Sequence, residues 1–127
     1  MTQADGTCPF CDPEPDRIFL ENDLIRGLWD RFPVSPGHAL LVTRRHVADW
    51  FAATPQERQD LVAAILSVRQ EIEKQHRPDG YNVGFNAGAV AGQTVFHLHL
   101  HVIPRYQGDT PQPQGGVRGV IPEKAAY

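Results

Sequence analysis

At 127 residues the chain is long enough for one compact domain and too short for two of ordinary size. It is 41% hydrophobic and 21% charged, as expected of a globular fold in water, and its formal net charge of -3 argues against bulk electrostatic capture of nucleic acid or an anionic membrane. No apolar run approaches membrane-spanning length. Met1-Thr2-Gln3-Ala4-Asp5-Gly6 has neither the basic start nor the apolar middle of a signal peptide, so a cytoplasmic location without membrane or nucleic-acid partners is expected.

The only cysteines, Cys8 and Cys11, are separated by two residues in the spacing Cys-x-x-Cys. A disulfide is disfavoured in a reducing compartment, which leaves metal binding, redox chemistry or two small buried thiols. The redox reading wants a βαβ context that this stretch lacks. Ile18 to Leu20 and Leu24 to Trp29 read as short strands joined by a turn at Glu21-Asn22-Asp23. Arg31 to Gly37, with two prolines and a glycine, is a loop, and His38 to Thr43 is a third strand.

Thr54-Pro55-Gln56-Glu57 opens a helix, with Thr54 as cap, Pro55 at the first helical position and Glu57 completing a capping box. Leu61, Ile65, Val68 and Ile72 follow at helical spacing, and Val62 and Leu66 are expected to widen the stripe. Arg77-Pro78-Asp79-Gly80 ends the pattern, and Tyr81 to Asn86 reads as a strand. Ala87 to Gln93 is a small-residue loop that a ligand can approach closely.

Phe96-His97-Leu98-His99-Leu100-His101-Val102-Ile103 then alternates histidine with apolar residues. On a strand the three imidazoles share one face, roughly 6.5–7 Å apart, while Leu98, Leu100 and Val102 face a core. Imidazole titrates near neutrality, binds metals and attacks phosphorus. The residues alone admit two chemistries, a metal held by the triad or a nucleophilic middle histidine. From Gly108 to Tyr127 the chain is rich in Pro, Gly and Gln and is expected to be an irregular tail on a domain spanning residues 1–107. One helix between strand groups predicts an α+β fold with a largely antiparallel sheet.

Gly92-Gln93-Thr94-Val95-Phe96-His97-Leu98-His99-Leu100-His101-Val102 resembles the signature of the histidine-triad (HIT) family of nucleotide hydrolases and transferases. The resemblance extends through Asn86, Ser35-Pro36-Gly37-His38, Thr43-Arg44-Arg45-His46 and Cys8-Pro9-Phe10-Cys11, roughly residues 8 to 107. It implies a sheet of about five strands with one long helix, in a two-fold homodimer that pairs the helix and the Tyr81–Asn86 strand. It also implies hydrolysis of a purine nucleotide derivative, a dinucleoside polyphosphate or a phosphoramidate, at the α-phosphate. His99 would form a nucleotidyl-histidine and release a nucleoside monophosphate, and the ring of His99 would be oriented by the carbonyl of His97. The implied catalytic set is His97, His99, His101 and His38. Asp30, Asn86, Gln93 and Thr94 match substrate-binding positions, Asp30 on the ribose, although Asp30 also suits a loop cap. Cys8, Cys11, His46 and His97 match a closed, structural zinc site. Ideal strand geometry would place His97 beside His99, near the chemistry, unless twist turns it away.

The segment from His101 to Arg105 with Gly108-Asp109 resembles dinucleoside-polyphosphate hydrolases, whereas Asn86 resembles phosphoramidases. Arg44, Arg45 and Arg105 read as solvated strand-end charges, and Trp29 and Trp50 as packing residues, Trp29 with the option of walling a base pocket. Two readings of other classes compete: a nucleotide-binding adaptor with incidental hydrolysis, and a metal-dependent hydrolase with the triad as ligands.

Overall fold

The computed structural model describes residues 8–127; the hexapeptide read against a signal sequence lies outside the described residues. Five strands form one antiparallel sheet: β1 (Ile18–Glu21), β2 (Ile25–Trp29), β3 (Ala39–Thr43), β4 (Gly80–Gly84) and β5 (His99–Arg105), in the order β1-β2-β3-β5-β4. The helix α1 (Pro55–Glu73) crosses one face. This is the α+β architecture expected.

Local chemistry explains the element ends. Asn22 Oδ1 accepts from the amides of Leu24 and Ile25 at 2.8 and 3.0 Å, closing the β1–β2 turn. The capping box at α1 is complete: Thr54 Oγ1 accepts from Glu57 N at 3.1 Å, and Glu57 Oε1 accepts from Thr54 N at 2.8 Å. The Glu57 carboxylate is buried and held by Arg45 at 2.9 and 3.2 Å, and that guanidinium keeps its carboxyl below the usual range. The helix stops at Glu73, four residues before Arg77, because the amides of Gln75 and His76 both turn back onto Ile72 O.

Leu61, Ala64, Val68 and Ile72 of α1 pack on Ile25, Leu41, Leu100 and Val102. Burying each large aliphatic side chain there contributes about 1.5–3 kcal/mol. Alternation sends Leu40 and Val42 of β3 to the opposite face, where they join Cys8, Phe10 and Leu28. His99 pairs with Val42 and His101 with Leu40, so these two imidazoles stand on that second face, away from the helix.

Two expectations fail here. Val62 and Leu66 do not widen the buried stripe but stay 54% and 60% exposed. The histidine strand begins at His99 rather than Phe96. The amide of Leu98 leaves the ladder to donate to Val47 O at 2.8 Å, and that bend frees His97 from strand alternation.

Candidate active site and metal cluster

His97 and His99 therefore point to different places. His97 is fully buried, with Nε2 donating to Thr43 O at 2.7 Å. A carbonyl only accepts, so Nε2 carries the proton and Nδ1 keeps its lone pair. That lone pair faces Cys8 Sγ at 3.4 Å and Cys11 Sγ at 3.6 Å, while His46 Nδ1 lies 3.1 Å from Cys11 Sγ. All four ligand atoms lie within 4.8 Å of one another. The edge of a tetrahedron with Zn–S of about 2.3 Å and Zn–N of about 2.05 Å is about 3.6 Å, close to these separations. Donor set, tautomer and spacing all fit a closed tetrahedral metal ion. Burial, helped by the neighbouring His46 and His99 and only partly offset by the Thr43 bond, pushes the His97 imidazole down to about 4, so its lone pair is available at neutral pH.

His99 donates from Nδ1 to His97 O at 2.8 Å. Its Nε2 thus holds an unshared pair, poised as nucleophile or base. Burial keeps this imidazole below its ordinary value, opposed by the carbonyl bond and by Asp30. Phe10, from the cysteine loop, lies against it with ring centroids 4.9 Å apart. His101 follows on the same face, its ring centroid 5.2 Å from that of His99.

The tautomer of His101 is set from a distance. The amide of Val34 donates to His38 Nδ1 at 3.1 Å, so His38 carries its proton on Nε2. That Nε2–H faces His101 Nδ1 at 3.0 Å and Asp30 Oδ2 at 3.3 Å. His101 Nδ1 accepts, and the remaining proton of neutral His101 sits on Nε2, facing outward as a donor. Burial, reinforced by His99 and His38, pushes the His101 imidazole down to about 4. Asp30, His38 and His101 lie within metal-chelating distance of one another, but the His38 Nε2–H is committed as a donor and offers no lone pair there.

Two cavities meet at His101. One, about 310 Å³, is lined by Phe10, Asp30, Phe32, Leu40, His99 and His101 among others. The second, about 480 Å³, is lined by His38, His101, Asn86, Phe85 and residues of the C-terminal tail. Asp30 has the dual position that its sequence left open: Oδ1 accepts from Phe32 N at 2.7 Å as a loop cap, and Oδ2 faces His38.

Three sequence-based assignments change. The His97 side chain belongs with the cysteines and not with the reacting face; only its carbonyl serves His99. The triad imidazoles consequently do not converge as three ligands of one ion. Gln93 is consumed in bracing its loop, with Oε1 accepting from Gly88 N at 2.8 Å and Nε2 donating to Ala48 O at 2.6 Å and Val95 O at 3.1 Å. Both amide hydrogens are used, so none is left for a substrate. Trp29 stacks on Phe19 at 4.2 Å and Trp50 on Phe85, in keeping with their reading as packing residues, and Trp29 does not line the smaller cavity. Thr94 is exposed beside Val95, which lines the smaller cavity. Sequence reasoning missed Phe10, Phe32 and Leu40 as cavity walls; only the strand alternation of Leu40 carried a signal.

Residues 13–108 match the HIT domain family. The chain belongs to that family. It is 36% identical over 97 residues to the asymmetrical bis(5'-nucleosyl)-tetraphosphatase of Schizosaccharomyces pombe, covering 76% of this chain and 53% of that protein. It is 33% identical over 102 residues to the AP-4-A phosphorylase of Mycobacterium tuberculosis, covering 80% of this chain and 52% of that one. The chain thus spans about half the length of either relative. Among solved structures, a hypothetical histidine triad nucleotide-binding protein from Sulfolobus tokodaii superposes with a TM-score of 0.74 at 30% identity, covering 83% of this chain and 73% of that one. The HIT match ends at residue 108, before the tail.

Proposed function

We propose that this HIT protein is a hydrolase of purine nucleotide derivatives, acting at the α-phosphate through a nucleotidyl-histidine on His99. The observation that carries the reading is the bond from His99 Nδ1 to His97 O at 2.8 Å, which leaves the Nε2 lone pair on a ring lining the smaller cavity. Nε2 forms a bond to phosphorus as the bond from phosphorus to the leaving group breaks, and the leaving group departs with that electron pair. Water then attacks the nucleotidyl-histidine and releases the monophosphate. His101 donates its outward Nε2–H to a phosphate oxygen, and its neutrality suits a role as hydrogen-bond donor rather than fixed charge. Asp30 accepts from the ribose hydroxyls in the cavity it lines, and the apolar walls from Phe10, Phe32 and Leu40 suit a base.

Cys8, Cys11, His46 and His97 hold a structural zinc ion, which ties the N-terminal segment to the back of the triad loop. It fixes the main chain whose carbonyl orients His99. Two copies associate through the exposed Val62 and Leu66 of α1 and the edge strand β4, which one chain leaves uncovered. The protein works in the cytoplasm; no helix among the described residues is long and apolar enough to cross a membrane. A panel of adenosine phosphoramidates, dinucleoside polyphosphates and nucleotide sugars, read out as nucleoside monophosphate released, tests the reading. Release from none of them, by folded protein, overturns it.

A further inference from the structure

Residues 31–37 run from β2 to β3 outside the ladder, and the amide of Val34 within them sets the proton on His38. Pro33 and Pro36 remove two of the loop's backbone donors. Its backbone bonds, Asp30 N to His38 O at 3.0 Å and His38 N to Ser35 O at 3.1 Å, close the loop on itself. Two side-chain hydroxyls make the connection to β5 and its end. Past the pair Ala39 and Val102, β3 no longer accompanies β5, and there Ser35 Oγ donates to Pro104 O at 2.7 Å. One residue further along the loop, Pro36 O accepts from the Tyr106 hydroxyl at 2.6 Å.

Both sides of this connection are themselves held. Tyr106 opens a turn in which its amide donates to Asp109 Oδ2 at 3.0 Å, and Arg105 grips the Asp109 carboxylate at 2.7 and 2.8 Å. The next amide, of Gln107, donates to Asp79 Oδ2 at 2.8 Å. On the loop side Gly37, at φ +88°, sits so close to the end of α1 that a Cβ there would lie 2.9 Å from His76 Cδ2 and 3.2 Å from Ile72 Cγ2.

We propose that Ser35 and Tyr106 are positioning residues: their hydroxyls clamp the loop to β5 so that the Val34 amide meets His38 Nδ1, which sets the proton that His38 presents to His101. The inference rests on the function proposed above and adds to it two residues that act through others. Neither side chain lines either cavity at His101. The bond from Val34 N to His38 Nδ1 is 3.1 Å long, and a shift of the loop by a fraction of its length weakens it steeply. Without that bond His38 Nδ1 can take the proton, and Nε2 then meets His101 Nδ1 lone pair to lone pair.

Ser35→Ala with Tyr106→Phe removes both hydroxyls and leaves every side chain that lines the two cavities in place. It is expected to lower kcat for an adenosine phosphoramidate about tenfold or more while KM stays within about twofold. Nitrogen NMR of the protein without substrate, at neutral pH, reads the His38 ring directly. The wild type should show Nε2 protonated and Nδ1 bare, and the double variant a mixture of both tautomers. Each single variant should fall between them, and carries the same comparison if the double variant does not fold. Tyr81→Phe removes a hydroxyl of the same kind, bonded to Glu73 at 2.7 Å, and should leave the His38 ring as it is. A folded variant whose His38 ring keeps the wild-type tautomer overturns the inference, as does a shifted tautomer with wild-type kcat. A raised KM with kcat unchanged would put the hydroxyls on the substrate and overturn it too. A wild-type protein that turns over no nucleotide derivative removes the proposed function, and the NMR comparison then decides the clamp by itself.

Discussion

If the amide of Val34 fixes the proton of His38 on Nε2, and His38 in turn fixes His101, then two near-isosteric substitutions at His38 should behave differently. Asparagine places its carbonyl where Nδ1 was, keeping the Val34 bond but ending donation to His101 Nδ1. Glutamine reaches the Nε2 position and can still donate to His101. Both distances to be replaced are ordinary hydrogen bonds, 3.1 Å to Val34 and 3.0 Å to His101. Stripping a partner from the buried Nδ1 of His101 costs about 1–3 kcal/mol, which at about 1.4 kcal/mol per tenfold is about 5- to 150-fold in rate. His38→Asn should lose kcat by that factor, while His38→Gln stays within about fivefold of the wild type. His101, held down to about 4 first by burial and then by its histidine neighbours, should titrate higher in the Asn variant. Steady-state kcat with NMR titration of the His101 ring measures both effects. An Asn variant as fast as the Gln variant, or an unmoved His101 titration, would refute the tautomer argument.

Other consequences are as direct. Cys8→Ser with Cys11→Ser should abolish bound zinc and lower Tm more than it lowers kcat of the folded fraction; elemental analysis finding no metal in wild-type protein made with zinc would contradict the site. His101 is protonated at about 6.5 when unfolded and only near 4 when folded, so the unfolded chain binds more protons between these values and stability falls as pH drops from about 6.5 towards 4. With partial solvent access discounted, this group alone contributes about 1–2 kcal/mol of that loss, and His101→Asn should flatten the profile measured by urea melts. Val62→Glu with Leu66→Glu should convert a dimer to monomer in sedimentation, since both are exposed on α1 in the single chain; an unchanged mass would move the interface elsewhere.

Much of the scaffold could be read before folding because it follows from local rules. The capping box at Thr54 and the 3.6-residue spacing of Leu61, Val68 and Ile72 each involve residues within a few positions of one another. So does the alternation that sends Leu100 and Val102 to the core and His99 and His101 to the other face. What escaped depends on distant partners. His97 leaves the strand because Leu98 bonds Val47 O and Thr43 O receives Nε2, contacts about 50 residues away in sequence. Gln93 looked like a ligand because its neighbours are, but Ala48 O claims one of its amide hydrogens. The tail forms short 3-10 turns, and nothing in its composition announced that it would return to β4.

The most direct test of the account is capture of the covalent intermediate. Protein mixed with an adenosine phosphoramidate, quenched in alkali within milliseconds and digested, should yield one adenylylated peptide with the nucleotide on His99, and His99→Asn should give neither adduct nor turnover. Turnover that persists in His99→Asn, or an adduct carried by His38 or His101, would contradict it.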